Sequence, residues 1–527
     1  MNPPAYRDLL RGDRFVYGAE TVPSRGLGTP EKSDRLVADA EALIADPRFG
    51  WISITDNPGG VPMLPPDWLA GVLGDQGRRV VVHLSCKDQN RNALEGAAWR
   101  YASEGFPNIL ALTGDYPTGG FGGTAGPVFD LDSVGLITLL KKMNAGLEVP
   151  GRRGKIEKLP ATDFFIGCCV SPFKRYEREL MPQYFKLILK ILAGAQWVIP
   201  QLGYDMRKFH EVKLMLASRG MDVPIVGNVY LLTKTVAKIF NSGRLAGCVV
   251  SDELLEQCNK YGAGPDKGKQ FFRELAAKQL ACFKGLGFAG GYLGGMAKPE
   301  AFAEIVDLAE SFGTDDWRDF MKEISFAQPG EFFLFDHDPE TGLCEPGVFN
   351  PEYLKSLAKP ARPKDVNINY RLSRMVHSLA FTRDKGLWGM MKAFFGRVDK
   401  KPDGLLMRSV HALERASKRT MYGCEDCGDC SLPDTGYLCP LASCSKHSRN
   451  GPCGGSAQGR CELDDKDCLW ARAYERLKYY GESESMLDRP AVLYNASMQK
   501  TSSWANTYLD RDHHAPKPEE GDTSREN

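Results

Sequence analysis

Short apolar runs alternate with amphipathic segments along the first part of the chain. In the amphipathic segments, such as Ser33–Ala45 and Met206–Ser218, apolar residues recur every three or four positions, which is typical of helices packed on one face. Eight such repeats in about 300 residues predict an α/β fold, a (β/α)8 TIM barrel, with a doubly wound open sheet as the alternative. The runs begin at Phe15, Trp51, Val80, Asn108, Phe164, Trp197, Pro224 and Gly287.

The pattern changes after Lys298, where helical periodicity continues without intervening strands. Residues 358–364 carry two prolines and three basic residues, a composition that indicates a linker. We predict a barrel over 1–300, a helical extension over 301–405, a helical, cysteine-rich metal-binding module over 406–480 and a C-terminal extension over 481–527. The polar, aperiodic residues from about Asp510 onward are expected to be a disordered tail.

The charge balance narrows the function classes. The 527 residues include 67 Lys and Arg against 67 Asp and Glu, so the chain lacks the basic excess that nucleic-acid or anionic-membrane binding needs. Its apolar stretches are shorter than the roughly 18 residues of a membrane span, and its polar start is not a secretory signal. We expect a cytoplasmic protein with no nucleic-acid or membrane partner, and a homo-oligomeric assembly.

Three polar residues follow predicted strands, where the chemistry of a barrel takes place. Glu20 follows the first run, Asp115 closes the fourth and Gln201 follows the sixth. A carboxylate among apolar neighbours retains its proton near neutral pH and can act as a general acid. A carboxylate that caps a helix or pairs with a cation would be structural instead, and the spacing leaves both interpretations open.

Four motifs occur in an informative order: Ala19-Glu-Thr-Val-Pro, Val82-His-Leu-Ser-Cys, Thr113-Gly-Asp-Tyr-Pro and Ile199-Pro-Gln-Leu-Gly-Tyr-Asp. Together they resemble the methylenetetrahydrofolate reductases, which are flavoprotein barrels, over roughly residues 14–295. The resemblance implies a flavin- and folate-binding barrel. It also implies interconversion of 5,10-methylenetetrahydrofolate and 5-methyltetrahydrofolate by hydride transfer from flavin N5.

The resemblance also implies roles for individual residues. Glu20 matches the general acid of the family, Asp115 an aspartate that stabilises the cation formed from the folate, and Gln201 a folate contact. Phe240 matches an aromatic residue that stacks on nicotinamide or folate, and Lys190 a basic residue at the flavin phosphates. The other positions that match flavin contacts are His83, Leu112, Thr113 and Gly114.

Two departures from the family pattern concern the cofactors. Thr113 stands where arginine is common, and the seventh run reads Pro224-Ile-Val-Gly-Asn-Val-Tyr instead of the usual segment. FAD is the expected flavin, with FMN as the alternative. The use of NADH or NADPH as the direct reductant stays open.

Eight of the fifteen cysteines lie within 45 residues near the C-terminus. In the cytosol such clustering favours metal binding over disulfides. The initial Cys-x2-Cys-x2-Cys is the loop that holds one face of a four-iron cluster, whereas four thiolates, or thiolates with His447, would suit zinc. The spacing does not choose among iron-sulfur clusters, zinc and unliganded thiols. The cysteines are Cys424, Cys427, Cys430, Cys439, Cys444, Cys453, Cys461 and Cys468.

This region has a resemblance of its own. Asn450-Gly-Pro-Cys-Gly-Gly and Cys468-Leu-Trp, within residues 408–479, resemble the cysteine-rich C-terminal module of these reductases, which is a separate partner subunit in acetogens. Fusion to the barrel implies a metal-bearing module that works beside the flavin. An iron-sulfur module would take electrons from a ferredoxin-like donor, whereas a zinc module would be a brace.

The sequence therefore predicts a flavin-dependent methylenetetrahydrofolate reductase that binds tetrahydrofolate derivatives. One alternative is the same site run oxidatively on methyl-folate. The other is a non-catalytic folate-binding or assembly subunit, because a fold and its motifs do not by themselves establish function.

Overall fold

Eight parallel strands form a nearly closed barrel in the computed structural model, which describes residues 5–26, 29–245, 247–295 and 297–516. Each predicted apolar run overlaps one of these strands. The barrel strands are β1 Val16–Thr21, β2 Phe49–Ile54, β3 Val80–Ser85, β4 Asn108–Leu112, β5 Phe165–Val170, β6 Trp197–Pro200, β7 Val226–Tyr230 and β8 Gly290–Gly294.

The strands follow the order β6-β5-β4-β3-β2-β1-β8-β7, with every neighbouring pair parallel. β6 and β7 close the circle through one bridge between Val198 and Ile225, beside which the Val198 amide donates to the Pro224 carbonyl at 2.9 Å. This arrangement confirms the predicted eight-stranded α/β barrel and excludes the open-sheet alternative. The carboxyl ends of all eight strands consequently meet at one face.

Helices surround the barrel and continue beyond it. The first helix starts at Tyr6 and precedes β1, and others occupy the connections between strands. The helices up to residue 358 are α1 Tyr6–Arg11, α2 Pro30–Ala45, α3 Pro66–Val72, α4 Arg91–Ser103, α5 Ser133–Ala145, α6 Glu177–Ala193, α7 Met206–Ser218, α8 Lys234–Asn241, α9 Asp252–Tyr261, α10 Lys269–Gly285, α11 Pro299–Ser311, α12 Trp317–Glu323 and α13 Pro351–Ala358.

Large aromatic side chains fill the interior of the barrel. The Tyr6 ring lies 4.7 Å from that of Trp51 and 5.2 Å from that of Trp197, centroid to centroid. Each indole sits beside a glycine on the adjacent strand, and a Cβ on Gly18 or Gly167 would lie 2.2 Å from the indole of Trp51 or Trp197, respectively. The interior is therefore packed to the point where these two strand positions accept only glycine.

The chain divides into two compact units. The barrel unit comprises the residues up to 358 together with 451–468, and the second unit comprises 359–450 and the residues from 469 onward. Segment 451–468, which was predicted to be part of the cysteine-rich module, thus belongs to the barrel unit. Five of the eight clustered cysteines belong to the second unit, whereas Cys453, Cys461 and Cys468 belong to the barrel unit.

Two segments differ from the sequence-based description. The stretch after Lys298, predicted to lack strands, contains an antiparallel pair formed by Phe335–His337 and Cys344–Phe349, in which the rings of Phe335 and Phe349 stack at 5.2 Å. Residues 510–516, predicted to begin a disordered tail, pack against the second unit, with Asp512 buried. The rest of that predicted tail lies outside the described residues.

The second unit is helical. Its core includes Tyr508, whose ring packs 4.8 Å from that of Trp388 and 5.3 Å from that of Phe395. No helix in the described part of the chain is long and apolar enough to cross a membrane. The helices of this unit are α14 Ile368–Val376, α15 Trp388–Val398, α16 Leu405–Tyr422, α17 Pro440–Ser443, α18 Leu469–Tyr479 and α19 Ser503–Tyr508.

Candidate functional site at the mouth of the barrel

Glu20 is the end of a hydrogen-bonded chain of side chains that crosses four strands. The Tyr292 hydroxyl on β8 donates to Glu20 Oε2 at 2.7 Å. The same hydroxyl is hydrogen-bonded to Ser53 on β2, whose Oγ lies 2.7 Å from His83 Nε2 on β3. Burial lowers the pKa of His83 to about 4, so its imidazole is neutral near pH 7. This series of hydrogen bonds therefore joins the titratable carboxyl group of Glu20 to three neutral side chains.

Glu20 itself favours the protonated form. Burial raises its pKa, while hydrogen bonds from Tyr292 and from the Gly295 backbone lower it in part. A Cβ on Gly294 would lie 3.2 Å from Glu20 Oε1, which shows how closely the neighbouring strand approaches the carboxyl group. A carboxyl group with this environment can donate a proton near neutral pH.

Asp115 occupies a different environment. It is exposed, and its Oδ2 accepts a hydrogen bond from the Gly59 amide at 2.7 Å. The charges of Asp115 and Glu20 add to burial in raising the pKa of Cys248 to about 12. Both carboxylates therefore act electrostatically on the Cys248 thiol.

The residues that match flavin contacts lie along β3, β4 and α6. Leu112 ends β4, and Thr113 Oγ1 donates to Ser133 Oγ at 3.2 Å. Gly114 has a φ of +92°, and a Cβ there would lie 3.0 Å from the Cβ of Lys87, a residue that is 1% exposed. Lys190 Nζ donates to the Cys169 carbonyl at 2.6 Å, and burial lowers its pKa.

The predicted substrate contacts differ in accessibility. Gln201 follows β6, and a Cβ on Gly247 would lie 3.4 Å from its Nε2. Phe240 is buried on α8, and its ring packs edge-on against Tyr230 with the centroids 5.4 Å apart. Gln201 is therefore at the mouth, whereas Phe240 contacts protein and its stacking on a ligand stays a prediction.

Segment 451–456 lies against the carboxyl ends of β5 and β6. Lys174, buried in the loop after β5, donates from Nζ to the Gly454 carbonyl at 2.6 Å and to the Ser456 carbonyl. From α6, Gln183 donates to the Cys453 carbonyl at 2.6 Å and Lys186 to the Gly451 carbonyl at 3.1 Å. Three buried side chains thus hold the backbone of this segment at the mouth.

Two buried hydroxyls at the same face have no hydrogen-bond partner among the described residues. They are Thr55 Oγ1, just after β2, and Ser171 Oγ, just after β5. The loss of solvent without a hydrogen bond costs about 1–3 kcal/mol for such a group. Both hydroxyls are therefore suited to a polar ligand that enters the mouth.

Four cysteines of the second unit line one cavity, which we call the cysteine cavity: Cys424, Cys427, Cys430 and Cys439. Lys418 Nζ lies 3.6 Å from Cys430 Sγ and also donates to Glu414 at 2.8 Å. The Asp426 amide donates to Cys424 Sγ at 3.4 Å. No three cysteine sulfurs in the described part of the chain lie within 4.8 Å of one another.

Several side chains at the mouth are marked weakly or not at all in the sequence. Tyr292 lies within a glycine-rich run, Ser53 within an apolar one, and Lys174 four residues after the end of β5. A tyrosine or serine inside an apolar run is the one local sign that a strand presents a polar group inward. Cys248 has no such sign.

Two known protein families match different parts of the chain. Residues 6–309, more than half of the chain, match the family described as Methylenetetrahydrofolate reductase. Residues 406–495 match the family described as Methylene-tetrahydrofolate reductase C terminal.

Individual relatives are distant. Methylenetetrahydrofolate reductase 2 of Saccharomyces cerevisiae is 29% identical over 41% of this chain and 34% of its own length. The 5,10-methylenetetrahydrofolate reductase of Salmonella typhimurium is 25% identical over 31% of this chain and 47% of its own. The chain thus spans between a third and a half of these relatives. A solved Clostridium thermocellum protein that binds two copies of 5-methyl-5,6,7,8-tetrahydrofolic acid aligns with 57% of this chain and 96% of its own at 13% identity, with a TM-score of 0.40.

Proposed function

The chain belongs to the methylenetetrahydrofolate reductase family, and from that membership we propose that it interconverts 5,10-methylenetetrahydrofolate and 5-methyltetrahydrofolate at the mouth of the barrel. The observation that carries the proposal is the half-buried Glu20 carboxyl, hydrogen-bonded to Tyr292. It lies at the carboxyl end of a barrel strand, where enzymes of this fold bind their substrates. Its raised pKa suits a proton donor.

In the reductive direction, Glu20 gives its proton to the folate nitrogen as the methylene bridge opens. The bridge carbon becomes an electrophilic iminium, and the negative charge of Asp115 stabilises this cation. Gln201, next to Gly247, anchors the substrate through its amide. In the oxidative direction the Glu20 carboxylate takes the proton back, so one site serves both directions.

The mouth has groups that fit a flavin, for which FAD is the form typical of the family. When bound, the flavin supplies the hydride to the bridge carbon. Thr55 Oγ1 and Ser171 Oγ offer hydrogen bonds that no described residue uses. Gly114 is a further backbone contact that we propose. His83, Leu112, Thr113 and Lys190 are the further contacts that we propose.

For the cysteine cavity we propose an iron-sulfur cluster, with zinc as the alternative. Zn–S bonds of about 2.3 Å place four tetrahedral sulfurs about 3.8 Å apart, whereas a cubane cluster binds each thiolate to a different iron and holds the sulfurs farther apart. The described cysteine sulfurs form no group within 4.8 Å. Such a cluster would let electrons enter singly from a ferredoxin-like donor.

The experiment uses the full chain purified without oxygen. We expect bound flavin, iron and sulfide, and bleaching of the flavin by 5-methyltetrahydrofolate. Glu20→Gln should keep the flavin but lose folate turnover, whereas Glu304→Gln, an exposed carboxylate on α11, should match the unmodified chain. Full activity in Glu20→Gln would contradict the role of Glu20. Protein without flavin would instead favour a non-catalytic folate-binding subunit.

A further inference from the structure

Three metal-ligating side chains of the second unit converge next to the loop that carries Cys427 and Cys430. Asp434 lies in the short turn Pro433–Thr435, and His513 and His514 follow α19. One ligand atom from each lies within 4.8 Å of the other two. His513 Nε2 is 2.9 Å from Asp434 Oδ2, and His514 Nε2 is 3.2 Å from Asp434 Oδ1.

These distances are close to those between neighbouring ligands of one metal ion. Bonds of about 2.1 Å to nitrogen and oxygen, at angles between 90° and 109°, separate adjacent donors by about 3.0–3.4 Å. The 3.2 Å separation falls within this range, and the 2.9 Å separation lies just below it. An ion could therefore enter with small side-chain movements and no change of the backbone path.

A fourth residue orients the first histidine. Asp429, which is buried, accepts a hydrogen bond from His513 Nδ1. This bond fixes the ring so that Nε2 points at Asp434. Metal-binding histidines usually have such a carboxylate on their other nitrogen, because it sets the tautomer and makes the ring a stronger ligand.

His514 approaches the same carboxylate from its other oxygen. Its Nε2 is inaccessible to solvent and forms no aligned hydrogen bond, although Asp434 Oδ1 is 3.2 Å away. The Asp434 carboxylate therefore replaces only part of the solvation that this nitrogen loses. A cation bound by both the nitrogen and the carboxylate would satisfy each of them.

We propose that Asp434, His513 and His514 bind one divalent transition-metal ion. Two imidazoles and a carboxylate suit Zn²⁺ or Fe²⁺, and the charges of Asp429 and Asp434 balance a dication. His514 also lines a cavity of ≈ 450 Å³ whose walls include Trp388, Trp504 and Cys430. The ion would tie the segment after α19 to the turn that follows Cys430.

The test measures metal binding in the full chain. Chelator-treated protein is titrated with Co²⁺ and bound metal is counted, for the unmodified chain and for His514→Gln. His514 is the less buried of the two histidines, with a side chain 34% exposed, so this variant should fold. His337→Gln, in the barrel unit, is the control. We expect the unmodified chain and the control to bind one ion more per chain than His514→Gln.

Spectroscopy distinguishes this ion from metal held by cysteines. The difference spectrum between the unmodified chain and His514→Gln should show cobalt d–d bands without thiolate charge-transfer bands. Added Zn²⁺ should raise the unfolding temperature of the unmodified chain and of the control more than that of His514→Gln. Equal metal content in all three proteins, or a difference spectrum with thiolate bands, would overturn the proposal.

Discussion

Removal of one hydroxyl group tests how the barrel sets the acidity of Glu20. Tyr292→Phe deletes the donor that lies 2.7 Å from Glu20 Oε2. The remaining ring can still stack on Trp51, from which it is 5.3 Å away at an interplanar angle of 12°. The substitution therefore changes the hydrogen bond while the packing of the barrel interior is kept.

The expected size follows from the energy of that bond. A hydrogen bond to a charged group contributes about 1.5–3 kcal/mol, and about 1.4 kcal/mol corresponds to one pKa unit. The Tyr292 bond favours the carboxylate and so lowers the pKa of Glu20. Its removal should raise that pKa by about one to two units. The acid would then keep its proton to higher pH.

The assay is the pH dependence of kcat/KM for methylenetetrahydrofolate reduction with a chemically reduced dye as donor, because this parameter reports the ionisation of the free enzyme. We expect the alkaline limb of Tyr292→Phe to move upward by about one to two pH units. Tyr184→Phe removes a matched bond, 2.6 Å from the buried carboxylate of Glu211, and should leave the limb in place. An unmoved or downward-shifted limb in Tyr292→Phe would refute the reasoning.

Three further predictions concern stability and the segment at the mouth. Burial raises the pKa of Glu331 to about 7, so its contribution to the free energy of unfolding falls as the pH rises from about 4.5 to 7, by on the order of 3 kcal/mol. Glu331→Gln should remove this pH dependence. If urea unfolding gives the same change in the free energy of unfolding between pH 5 and pH 8 for the variant and the unmodified chain, the assignment is contradicted. Lys174→Met leaves two carbonyls unpaired and should expose segment 451–456 to protease, whereas Lys213→Met, which removes the same type of contact at residues 286 and 287, should not. Gly18→Ala places a Cβ 2.2 Å from the Trp51 ring and should lower the free energy of unfolding by about 1–3 kcal/mol or more, so an unchanged urea midpoint would count against the packed interior.

The barrel could be predicted from the sequence because its strands are local features. Val80–Ser85 is buried at every position, as a strand with helices outside and core inside must be, and this appears in the sequence as a mostly apolar run without alternation of apolar and polar residues. Glu20 could be singled out for the same reason, since it ends such a run. Its partner Tyr292 could not, because 272 residues separate the two and only closure of the sheet makes β1 and β8 neighbours.

The grouping of the cysteines could not be predicted either, because spacing treats all eight as one series. The chain leaves the second unit at Gly451 and returns to it at Leu469, which assigns Cys453, Cys461 and Cys468 to the barrel unit. Lys174 and Gln183 hold this excursion through its backbone carbonyls and not through its thiol groups. The position of segment 451–456 at the mouth therefore depends on the path of the chain and on buried side chains of the barrel unit. We accordingly expect the segment to remain there whichever metal the remaining cysteines bind.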